Sequence, residues 1–137
     1  MQINPYLLFD GRCKEAFEFY AETFGGKIDA MIDHRGTPME KHVPPEWLDK
    51  IMHARMTVGE WVLMGSDAPP DRYLGAPHGF SVHCGTTDPE DAKRVFSQLA
   101  EGGTVEMPIQ PTFWSAQFGM LVDRFGIPWM VHCEAAR

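Results

Sequence analysis

Apolar and polar positions recur along this chain in an order that is run through twice. Residues 3–9 form a short apolar run closed by Asp10-Gly11, which predicts a strand and a turn. Cys13, Ala16, Phe17, Tyr20 and Phe24 then recur at helical spacing, with Lys14, Glu15, Glu18 and Glu22 off that stripe or at its edge. This is the pattern of an amphipathic helix, and Gly25-Gly26 stops it. Residues 27–34 resume as a moderately apolar strand. The stretch 35–50 holds Pro38, Pro44 and Pro45 among charges and reads as a loop with one helical turn at 45–48. Residues 51–58 and 61–66 follow as two strands of a hairpin joined at Gly59-Glu60.

After a proline-rich linker at 68–77 the same elements return. Residues 79–86 read as a strand, and Asp88-Pro89-Glu90-Asp91 is a helix start: an N-cap, a proline in the first turn, and carboxylates against the helix dipole. Ala92, Val95, Phe96 and Leu99 continue at helical spacing until Gly102-Gly103, and strands fit 104–109, 115–122 and 128–134. The two helices register at an offset of about 76 residues (Ala16 against Ala92), the closing hairpins at about 67 (Gly59 against Gly126). A duplication with one insertion, the proline-rich loop after His34, explains both offsets. The chain is thus predicted to be α+β, one domain over 1–137 made of two tandem βαβββ modules, 1–67 and 78–137.

Composition narrows the partners. The 137 residues are 44% hydrophobic and 23% charged, enough for one core. A net charge of -7 with scattered Lys and Arg excludes a phosphate-backbone stripe, so no nucleic-acid partner is expected. No apolar run approaches the roughly 20 residues of a membrane span, and the first residues have no signal-peptide pattern. Cys13, Cys84 and Cys133 are an odd set at wide spacings, read as reduced thiols of a cytoplasmic protein. Nine Met, four Trp and 12% aromatics suit either dense core packing or an apolar pocket.

The residues also carry a resemblance. Pro5-Tyr6-Leu7-Leu8-Phe9-Asp10-Gly11, Ala16-Phe17-Glu18-Phe19-Tyr20 and Phe24-Gly25-Gly26 resemble the opening of PhnB-like proteins of the vicinal oxygen chelate (glyoxalase/bleomycin resistance/dioxygenase) superfamily. Pro111-Thr112-Phe113-Trp114, Phe118-Gly119-Met120 and Asp123-Arg124-Phe125-Gly126-Ile127-Pro128-Trp129 are the most specific part of the match. The resemblance implies an open, U-shaped barrel around a pocket and a homodimer. In metal-using relatives it implies four ligands to a divalent ion that polarises neighbouring substrate oxygens. At those positions this chain has Pro5, Leu63 (within one residue), Ser81 and Met130. None is a normal ligand for such an ion, so no metal site and no cofactor are predicted.

Strand alternation puts His53, Arg55 and Thr57 on one face, Ser81 and His83 on another, and Met130, His132 and Glu134 on a third. Cys84 and Cys133 then fall on the opposite, helix-facing sides. The expected ligand-binding set is His53, Arg55, Ser81, His83, Trp114, Gln117, Met130 and His132, with His53 the best catalytic candidate because imidazole exchanges protons near neutral pH. Two readings stay open for the histidines: pocket lining, or partners in buried hydrogen-bond networks. The expected function is binding of a small apolar or aromatic molecule. Its alternative is a metal-dependent lyase, isomerase or dioxygenase acting on vicinal oxygens through a shifted site of His53, His83 and His132. A methyltransferase cofactor loop is unsupported, because both Gly-Gly pairs follow helices.

Overall fold

The computed structural model of the chain describes residues 1–134 and falls into two compact units that divide after Gly75. In the first, β1 (Tyr6–Phe9), α1 (Cys13–Phe24), β2 (Lys27–Asp33), β3 (Ile51–Val58) and β4 (Trp61–Asp67) build a sheet of order β1-β4-β3-β2. The second has β5 (Val82–Thr86), α2 (Pro89–Ala100), β6 (Thr104–Gln110), β7 (Ser115–Val122) and β8 (Pro128–Glu134) in the order β5-β8-β7-β6. In each unit the first strand runs parallel to the last and the other pairs are antiparallel. Two βαβββ modules of α+β class are therefore present.

The boundaries that moved have local causes. The first strand begins at Tyr6 rather than at Ile3, which is exposed, because pairing with β4 starts at Tyr6 opposite Met64. Likewise β5 begins at Val82 opposite Trp129, just after the turn glycine Gly79 with φ +84°. Ser81 consequently stands outside the sheet. The inserted loop carries the helical turn at Pro45–Trp47 and a second one, Pro38–His42, which the sequence reading did not anticipate. There the Thr37 side chain accepts from the Met39 N–H, a cap that proline-rich polar sequence conceals.

Each sheet buries one face under its helix. Cys13, Ala16, Phe17 and Tyr20 of α1 are buried as the spacing predicts, while Thr23 takes the place expected for Phe24. They meet Leu7, Phe9, Ala54, Met56 and Leu63, with Phe17 edge-on to both Phe9 and Tyr20 at 6.1 Å. Gly65 lies directly beneath: a Cβ there would stand 2.8 Å from the Leu7 carbonyl oxygen and 2.8 Å from the Phe17 ring. In the second module Ala92, Val95, Phe96 and Leu99 of α2 pack on β7 and β8, and Gly119 is the residue over which the Phe96 ring lies.

The helices are capped by different means. Asp88 accepts from the Glu90 N–H and caps α2 from the adjoining residue, as predicted. No side chain next to α1 caps it. Instead Asp67, at the end of β4, accepts from the N–H groups of Gly11 and Cys13 with one oxygen and of Ile51 with the other, at 2.8–2.9 Å. One buried carboxylate thereby ties the β1–α1 turn, the start of α1 and the start of β3 to β4. In the second module Asp123 accepts from the Phe125 and Ile127 N–H groups and from the Trp129 indole, closing the β7–β8 turn around Gly126 at φ +89°.

Three outcomes follow. Gly65→Ala should destabilise the protein by about 1–3 kcal/mol, read from its chemical denaturation midpoint, because the new methyl overpacks the α1 interface. Asp67→Asn should cost about 1–3 kcal/mol in the same measurement, since an amide nitrogen must then face an N–H donor. The Cys13 thiol is pushed well above the ordinary range by burial and by the neighbouring Asp67 charge, and burial also raises Cys84, with Asp91 adding to it. A thiol reagent at pH 8 should therefore leave Cys13 unlabelled until denaturant is added; rapid labelling of the native protein would contradict this.

Candidate functional site

The sheet face turned away from each helix carries the candidate chemistry. In the first module register fixes its membership: Arg55 pairs with Met64 and Ala30, Met64 with Tyr6, and Leu8 with Ser66. His53 and Thr57 alternate onto the same face. The Tyr6 hydroxyl lies 3.1 Å from His53 Nδ1 and the two rings stack at 5.8 Å, so the histidine is oriented by a phenol from β1. Arg55 donates to Asp29 at 3.0 Å, in an ion pair half open to solvent. Asp29 reaches it from an irregularity in the β2–β3 register between Ile28 and Ala30. Its carboxylate offsets the guanidinium charge on this face.

In the second module this face is a row of rings. His83 on β5 packs edge-on against His132 on β8 at 5.6 Å, His132 against Phe118 on β7 at 6.1 Å, and Phe118 against Trp114 at 5.6 Å. Phe113 extends the row beyond Trp114 at 4.7 Å. Met130 lies in the same face, opposite Met120 and beside His83. His132 and Phe118 are half-buried and the ends of the row are open: His83 is exposed, Trp114 is about half exposed and Phe113 almost wholly so. Such rings present large apolar area in fixed orientation, with two imidazoles supplying the polar atoms.

The structure sorts the predicted residues. His83, His132, Met130 and Trp114 are brought together in one module, and His53 and Arg55 share a face of the other. Gln117 does not join the row: it pairs with Cys133 and is buried on the side of the sheet that faces α2. Gln117 stands three residues from Trp114, and alternation along β7 puts it with buried Ser115 and Leu121 while Phe118 shares the face of Trp114. Ser81 lies off the sheet for the reason given above. Cys84 and Cys133 take the opposite face from the histidines, as Cys84 pairs with Val131, next to Cys133 on the α2 side. Tyr6 and Asp29, the partners of His53 and Arg55, were missed: their pairing depends on register across strands far apart in sequence.

The donor set at the superfamily's metal positions is poor. Pro5 precedes β1, Ser81 precedes β5, and Leu63 points into the core, leaving Met64 as its neighbour on the outer face. Met130 offers only a thioether, and a divalent ion needs carboxylate or imidazole at such points. These residues do not fit the ion. Among the described residues no three His, Cys, Asp or Glu side chains are grouped to hold a metal.

Comparison with known proteins agrees with this architecture. The family model described as Glyoxalase/Bleomycin resistance protein/Dioxygenase superfamily matches residues 2–131. Protein YjdN of Escherichia coli K12 is 32% identical over 140 residues, covering 96% of this chain and 95% of its own. Among solved structures, protein PA1353 of Pseudomonas aeruginosa is 47% identical, with a TM-score of 0.90 and 98% of both chains covered. A PhnB protein of Bacillus cereus shares the fold at 24% identity, with a TM-score of 0.80 over 97% of this chain and 99% of that one. No helix among the described residues is long and apolar enough to cross a membrane. Its repeated βαβββ modules and this match over nearly its whole length make the chain a member of the glyoxalase/bleomycin resistance/dioxygenase superfamily.

Proposed function

We propose that this protein binds a small aromatic or apolar molecule on the ring-lined face of its second module, without the metal quartet used by other members of its superfamily. The observation that carries the reading is the row His83, His132, Phe118, Trp114 and Phe113, half-buried at His132 and Phe118 and exposed at both ends. A flat ligand stacked there would exchange water contact for ring contact on one side at once. Apolar surface with a few polar anchors is the usual make-up of a small-molecule site. The net charge of -7 adds no obstacle to a neutral or cationic ligand. The PhnB-like resemblance supports a homodimer, and three free thiols support a cytoplasmic setting.

In the first module the Tyr6–His53 pair supplies an oriented imidazole that could hold or move a proton at Nε2 while Tyr6 engages Nδ1.

Two measurements on tag-free protein test this reading. Equilibrium dialysis with naphthalene should give saturable binding that also raises the unfolding temperature. Trp114→Ala should weaken it about tenfold, corresponding to about 1.4 kcal/mol of lost ring contact. Elemental analysis should find no stoichiometric transition metal. Absence of binding, or a full complement of metal lost on His53→Ala or His132→Ala, would replace this reading with metal-assisted chemistry on vicinal oxygens.

A further inference from the structure

We propose that His132 is the polar anchor of this face, and that the compound it selects is an aromatic ring bearing a hydroxyl group. This rests on the reading of the second module as an aromatic-binding surface. Among the described residues, His132 Nε2 is the one buried side-chain nitrogen or oxygen without a hydrogen-bond partner. Four other buried polar side chains are satisfied: Asp67 and Asp123 accept three N–H groups each, His34 Nδ1 meets the Lys50 carbonyl oxygen, and Ser115 meets Thr112. Native folds leave few such atoms unpaired, because a desolvated polar group with no partner costs stability. An orphan imidazole nitrogen at the centre of a row of rings is the complement of a ligand that brings one hydrogen-bonding group on an aromatic frame.

Access to that nitrogen has a structural basis on β5. Gly85 is the register partner of His132, and with no side chain of its own it leaves the space into which the His83 ring folds. A Cβ on Gly85 would come within 3.2 Å of His83 Cε1. The His83 ring thus lies over Gly85 and against His132, yet the residue is exposed and has solvent into which to swing. Rotation of His83 about its side-chain torsions uncovers the anchor without moving a strand. The inner rings, Phe118 and His132, remain as the stacking floor. In this arrangement a hydroxyl on the ligand hydrogen-bonds Nε2, donating to it or accepting from it according to the tautomer.

The pair 2-naphthol and naphthalene isolates the hydroxyl on one frame. On an apolar surface without a partner the hydroxyl weakens binding, because its hydration is lost. With His132 as anchor the order reverses. Equilibrium dialysis of the full chain should show 2-naphthol bound about tenfold more tightly than naphthalene. His132→Phe keeps a ring in the row and should bring that preference to parity or below while naphthalene still binds, which also certifies the fold. His83→Ala should keep the preference. Equal binding of the two compounds by the unsubstituted protein, survival of the preference in His132→Phe, or its loss only in His83→Ala would overturn the anchor and leave the aromatic surface standing. Binding of neither compound would remove the surface and the anchor together.

Discussion

Backbone N–H groups at the junctions between elements have no ladder partner, and in this protein two buried carboxylates take them up. Asp67 gathers the N–H groups of Gly11, Cys13 and Ile51, so that the last strand of the first module holds the first turn, the helix start and the entry to β3. Asp123 performs the corresponding work in the second module on Phe125, Ile127 and the indole of Trp129. A carboxylate taken out of water is tolerated only with several donors around it, and three donors at hydrogen-bonding distance meet that condition. In the first module the position of the sheet relative to its helix follows from these contacts, and in the second the closure of the β7–β8 turn does.

Those faces are where the two modules differ most. A sheet covered on one side by a helix must put apolar residues at every second position; the other side is free to vary. The first module uses that freedom for an oriented imidazole and a compensated ion pair, Tyr6–His53 and Arg55–Asp29. The second uses it for stacked rings. Small residues at points of close approach make both arrangements feasible. Gly65 and Gly119 let helix rings rest on the strands, and Gly85 leaves room for His83.

Membership in a superfamily known for divalent-metal chemistry does not transmit that chemistry. The scaffold supplies strand ends at defined places, but activity resides in the side chains there. This chain places a proline, a core leucine, a serine outside the sheet and a methionine at those points. The rings of the second module come from β5, β7, β8 and the loop before β7, around Met130.

Short-range pattern was enough to define both α-helices and the order of the strands, though not the turn at Pro38–His42. Helical spacing located α1 and α2, Gly-Gly pairs marked their ends, and the Asp88 cap was readable because it lies beside the helix it closes. The doubled βαβββ order and the insertion after His34 followed from the same periodicities, and strand alternation placed His83 and His132 opposite the cysteines. What tertiary structure alone decided involves pairing at long range. The α1 cap comes from Asp67, 54 residues beyond Cys13, and the Tyr6 partner of His53 lies 47 residues before it. A one-residue choice at Leu63 and Met64 sends one side chain to the core and the next outward. Periodicity records which residues share a face along one strand. Register between strands depends on hydrogen-bond ladders that distant segments form only when they meet, so no local pattern encodes it.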